Sequence, residues 1–192
     1  MPIFLAFFLL GLSASSVVSA KSLRASLAII PVHSEQGEYG APKGGFVEVT
    51  QAINDAYSDG DISITLYPFA RSLANVVTGK ADFHIPYTRL PPEMVASMPF
   101  AFASECITQV TFVLYTQANR PSLNRKEFND YQIETQRGVK ELFSFKVSEI
   151  DSIKQGISRL NKGRIDGFIM EQEATDQYIR ENSFKNIRRE YF

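Results

Sequence analysis

Two stretches decide how this chain is read: VVTGKADFHI at residues 76–85 and RLNKGRIDGFI at residues 159–169. Each carries an apolar run of helical spacing, then glycine, a cation, a small or apolar residue and aspartate. Gly79 and Gly163 stand where a left-handed residue ends a helix. Lys80 and Arg164 then fall beside the helix's negative end, where a solvated cation is favoured. Asp82 and Asp166 open the next strand and are expected to accept hydrogen bonds from nearby backbone amides rather than from a ligand. The same helix stop and strand start is written twice, so the chain is expected to hold two similar α/β lobes.

Working outward, LRASLAII (residues 23–30) reads as a buried strand ended by Pro31. GFVEVTQAINDAYSDG places Phe46, Val49, Ile53 and Ala56 on one helical face. DISITLYP alternates as a strand, and FARSLANVVTGK brings Ala70, Leu73, Val76 and Val77 to one face of a second helix. ADFHIPY is a third strand. The β-branched run CITQVTFVLYT reads as a long strand, after which the pattern restarts. YQIETQ and FSFKV are strands flanking a short helix, RGVKELF. DSIKQGISRLNK is a helix capped by Asp151, with Ile153, Ile157 and Leu160 inward. IDGFIME and EATDQYIREN supply a last strand and helix. Strands alternating with helices of this length predict βαβ units and mostly parallel sheets flanked by helices, with residues 21–112 in the first lobe and 113–192 in the second.

Composition narrows the function. The 192 residues are 44% hydrophobic and 21% charged, which is globular and not disordered. Residues 1–20 read as a secretory signal peptide, an apolar run followed by SASSVVSA, so the mature chain is expected in the periplasm and not spanning a membrane. An uncleaved anchor is the other reading of that segment. Cys106 is the lone cysteine, which excludes an intrachain disulfide. The formal net charge is −1, and neither half carries the large basic excess that a nucleic acid demands. His33 and His84 lie far apart with no cysteine at ligand spacing, so neither a metal nor another cofactor is expected. No nucleophile elbow or Walker loop is present. His84, on a strand, is read as structural.

YPFARSLANVVTGKADFHIPYTR and SEIDSIKQGISRLNKGRIDGFIMEQ together resemble the bacterial extracellular solute-binding proteins of family 3, the type II periplasmic binding proteins of amino-acid importers. The resemblance covers nearly all of residues 22–190. It implies two α/β lobes closing on a small polar solute, with TQVTFVLYT as a hinge crossover and a membrane permease or sensor as partner. It also implies no enzyme activity. Family members place an Arg for the ligand carboxylate near Glu93 or Met94 of this chain, where none stands, leaving Arg89 as the nearby substitute. Glu171 takes the place of an Asp that binds the ligand ammonium, and Gly138 matches a turn whose amides receive an anion. Tyr39, Phe69 and Tyr87 are aromatic candidates for the cleft or for ordinary packing, and Arg71 for a polar cleft contact. Family members normally continue past IRREYF to complete the first lobe, so that lobe is expected to be incomplete. Two other readings stay open. One is a diverged, ligand-free interaction module of the same fold. The other is a dehydratase-like enzyme using Glu171 or Glu93 as a general acid.

Overall fold

A computed structural model describes residues 21–90 and 92–191; the signal-peptide reading lies outside them. In chain order the elements are β1 (Leu23–Ala28), β2 (Glu35–Gln36), β3 (Pro42–Lys43), α1 (Gly45–Ala56), β4 (Ile62–Tyr67), α2 (Phe69–Val77), β5 (Phe83–Ile85), α3 (Pro92–Val95), β6 (Phe112–Gln117), β7 (Ile133–Gln136), β8 (Ser148–Ile150), α4 (Ile153–Asn161), β9 (Gly167–Glu171), α5 (Gln172–Glu181) and β10 (Ile187–Glu190). Two sheets organise them. The first is wholly parallel, in the order β4-β1-β5. The second runs β10-β6-β9-β7-β8, with β9, β7 and β8 parallel and β6 antiparallel to both its neighbours. No described helix is long and apolar enough to cross a membrane.

The doubled motif does the same work in both halves. Gly79 and Gly163 have φ of 70° and 65°, the left-handed conformation that stops each helix. Asp82 then accepts the Arg24 N–H at 2.8 Å while its own N–H donates to the Arg24 carbonyl. Asp166 accepts the Gln132 N–H at 2.8 Å and donates its N–H to the Gln132 carbonyl. Each aspartate thus pins the start of its strand to the start of a parallel neighbour, β5 to β1 and β9 to β7. The pairing satisfies amides that would otherwise lie unpaired at the sheet's end.

Some elements differ from the sequence reading. α1 buries Phe46, Val47 and Thr50, while Ile53 is 41% exposed. α2 buries Phe69 and Ser72, while Val77 is 46% exposed. Both helices are rotated from the face that apolar spacing alone selects. In α2 the reason is polar: Ser72 is fully buried and bonded to Ser26 Oγ at 2.9 Å and His84 Nδ1 at 2.7 Å. The cap of α4 is Ser152, whose side chain accepts the Gln155 N–H, not Asp151. That helix does bury Ile153, Ile157 and Leu160 as its spacing requires. The long strand is shorter than expected. Residues 104–111 are irregular and exposed, with Ile107 51% exposed, and pairing begins only at Phe112. FSFKV is irregular as well, and its expected strand is the following β8. RGVKELF forms one 3-10 turn at Lys140–Leu142.

Candidate functional site at the seam between the lobes

The cleft-facing residues follow from topology. Phe69 lies just past β4, Tyr87 past β5, Gly138 past β7, and Glu171 ends β9. These are the carboxyl ends of parallel strands, the edge where open α/β sheets hold ligands. The structure brings three of the candidates into contact. Phe69 is 6% exposed and belongs to a single apolar core with Ala28 and Ile30 of the first sheet's half and Val113, Val139 and Phe168 of the second. The Phe69 ring lies against Gly138, so that a Cβ there would stand 3.0 Å from it, at a backbone φ of 98°. Tyr87 stacks on Phe69 at 6.1 Å and meets Phe100 and Phe102 edge-on or tilted. Burial pushes the Tyr87 hydroxyl's pKa up. The crevice between Tyr87, Thr88 and Leu90 on one side and Val139, Glu141 and Leu142 on the other leaves no room for a water molecule. Phe69 therefore bolts the lobes together by apolar packing.

The polar candidates are occupied by the protein itself. Gly138 N–H donates to Glu149 Oε1 at 2.9 Å, and the short turn after it offers no helix N-terminus for an anion. The Arg89 guanidinium is bonded to the carbonyls of Ala103 and Ser104, so it staples the connector and does not reach the crevice. Glu171 caps α5, accepting the N–H groups of Glu173 at 2.6 Å and Ala174 at 2.9 Å. Arg71 is exposed on α2. Tyr39 is fully exposed in a left-handed turn with φ of 60°.

Glu171 has a second partner that sequence spacing did not disclose. His33, on the turn after β1, brings Nε2 to 3.5 Å from Glu171 Oε2 and 3.8 Å from Glu173 Oε2. The contact joins the two halves. Its only signal in the sequence is PVHSEQG, a turn dense in polar residues. The Glu171 carboxylate holds the His33 pKa above the ordinary imidazole value, against the effect of burial. Burial pushes Glu171 up, but His33 and the two capping N–H groups outweigh it and hold its carboxyl below the usual range. The direction of that shift favours the ionised carboxylate over the protonated form a general acid needs.

His84 sits beside the seam, on β5. Its Nδ1 and Ser72 Oγ have the spacing of a base and its nucleophile, yet Ser72 is fully buried and no described carboxylate orients the ring. The imidazole packs edge-on against Phe69 at 5.4 Å. Burial lowers its pKa to about 4. The pair is a buried polar link in the first lobe's core.

Comparison with known proteins agrees at the level of the fold. An ancestral arginine-binding protein bound to arginine superposes with a TM-score of 0.71 at 16% identity, over 88% of this chain and 78% of that one. The arginine-, lysine-, histidine-binding protein ArtJ from Geobacillus stearothermophilus gives 0.71 at 16% identity, over 88% and 75%. A histidine kinase sensor domain with similarity to periplasmic binding proteins gives 0.73 at 14% identity, over 90% and 78%. The chain therefore has a two-lobed α/β fold like that of periplasmic binding proteins. No protein-family model and no curated protein matches the sequence.

Proposed function

We propose that this chain is an exported, periplasmic solute-binding protein that takes up a small polar solute between its lobes and presents the bound form to a membrane permease or sensor. The observation that carries this reading is the contact of Phe69, Tyr87 and Gly138 at the carboxyl ends of β4, β5 and β7, the edge on which Glu171 also ends β9. The likeness to an arginine-binding protein and to a histidine kinase sensor domain supports it. Entry of solute requires the Phe69–Gly138 contact to part, because the crevice admits nothing as it stands. Arg89 is committed to backbone carbonyls, so a ligand need not carry the carboxylate of an amino acid. No catalytic role enters this reading.

Isothermal calorimetry and thermal shift test it with amino acids, small carboxylates and amines, on the wild-type chain and on Phe69→Ala. Saturable binding to either, lost on Tyr87→Ala, supports the reading. Absence of binding to every member of the panel by both chains overturns it.

A second reading has its own observation in the Phe69 bolt: a ligand-free interaction module with permanently joined lobes. It predicts no solute binding and a stable partner or self-association. Sedimentation that shows only monomer, together with solute binding, excludes it.

A further inference from the structure

We propose that His33, Glu171 and Glu173 form a site for one divalent transition-metal ion of the Zn²⁺ class, tying the turn after β1 to the start of α5. The three ligand atoms lie within 4.8 Å of one another. His33 Nε2 stands 3.5 Å from Glu171 Oε2 and 3.8 Å from Glu173 Oε2. Ligand bonds of about 2.0–2.1 Å in a tetrahedron put donor atoms about 3.3–3.5 Å apart, so the two sides that meet at His33 are near that spacing and rotation of the exposed Glu173 side chain would close the set.

Two of the ligands are fixed and one is free to adjust. The His33 backbone N–H donates to Ile30 O and its carbonyl accepts from Phe46 N–H, while its ring lies against Phe46 at 5.3 Å. Glu171 is held by the two N–H groups it caps, and each of its oxygens keeps a lone pair beyond that bond. Glu173 has a side chain 69% exposed and can swing to complete the set, leaving the remaining position to solvent. A second observation points to a ligand here. His33 Nε2 is buried and has no hydrogen-bond partner among the described residues, although it faces two carboxylates. A charged ring there is paired with Glu171, but in a neutral ring a bare nitrogen would face two carboxylates with no donor, a cost that a metal ion would remove.

The donor chemistry selects the metal class. One imidazole nitrogen with two carboxylate oxygens suits Zn²⁺ and its neighbours in the first transition row. Mg²⁺ and Ca²⁺ take oxygen ligands and have no use for His33. The α5 N-terminus opposes a cation there, but two full carboxylate charges exceed the half charge of a helix end. Binding would replace any proton on His33 Nε2, so the ion and the His33–Glu171 ion pair are alternatives at one place. Because His33 comes from one half and both glutamates from the other, the ion would cross-link them whatever solute the crevice takes. The inference does not rest on solute binding.

The test uses the whole mature chain, stripped with chelator. Zn²⁺ and Co²⁺ are titrated by calorimetry, with the Co²⁺ visible spectrum and the thermal midpoint followed in parallel. We expect one ion per chain, a rise in the thermal midpoint, and little response to equal Mg²⁺. Affinity should fall by about tenfold or more in His33→Ala and in Glu173→Gln. Glu173 is exposed, so its variant folds even if His33→Ala does not. Three results overturn the proposal: no Zn²⁺ binding, binding unchanged in Glu173→Gln, or an equal response to Mg²⁺.

Discussion

Lowering the pH should weaken this protein through His84 in a window set by the ring's surroundings. In the native chain the imidazole is buried against Phe69 and Tyr87, and its pKa falls to about 4 from the ordinary 6.5. The unfolded chain takes up a proton near 6.5 while the native chain resists until about pH 4. Between those values the unfolded state binds more protons, so stability drops as pH falls and levels off below about 4. At about 1.4 kcal/mol per pH unit, the full window is worth about 3 kcal/mol. His84→Asn isolates the effect, because its amide can occupy the place of Nδ1 beside Ser72 but does not titrate. The cavity left by the smaller side chain lowers stability by an amount that does not change with pH. Urea unfolding at pH 7, 6, 5 and 4.5 should show the wild-type advantage over His84→Asn narrowing by about 2–3 kcal/mol toward acid. An NMR titration of the His84 ring should leave it neutral at pH 5. Parallel stability curves for the two chains, or a ring that titrates near 6.5, would refute the account of a desolvated neutral imidazole.

Three further outcomes follow from packing and hydrogen bonding. Phe69→Ala should cost about 3–5 kcal/mol in urea unfolding and raise the radius of gyration in solution scattering, because the ring fills the core shared by both halves. Asp82→Ala and Asp166→Ala should each cost about 1 kcal/mol by removing the acceptor for a strand-opening amide. Their double variant should be additive, since the two sites lie in different sheets, and chemical denaturation of the four chains checks this. Gly156→Ala should destabilise by about 1–3 kcal/mol despite alanine's better helix propensity, because a Cβ would overlap the Phe168 ring; a thermal midpoint at or above wild type would contradict that.

Much of the architecture was legible because it is local. A helix stop needs a glycine with positive φ within one turn, and Gly79 and Gly163 provide it from the sequence itself. The aspartates that follow bind backbone, as short polar side chains at strand starts do. The resemblance to binding proteins pointed to Phe69, Tyr87 and Gly138, and the strand order puts them just past β4, β5 and β7. Local reasoning failed where a distant group set the outcome. The inward face of α2 turned toward Ser72 because Ser26 and His84 wait there with hydrogen bonds. The run CITQV has strand composition, yet strand formation depends on a neighbour's backbone, and among the described residues that segment pairs with no strand.

The sequence by itself determined two α/β halves, their helix ends, and the loops that meet between them. Tertiary structure decided what those loops do. It turned Arg89 onto the connector's carbonyls, bound Gly138 to Glu149, and seated Phe69 in the opposite half's core. It also set His33 against Glu171 and Glu173, residues that no short-range spacing connects. The physical reason is range. Backbone conformation at a turn is settled by the few residues in it, whereas the partner of a charged or aromatic side chain is whichever distant group the packing of two sheets brings within a few ångströms.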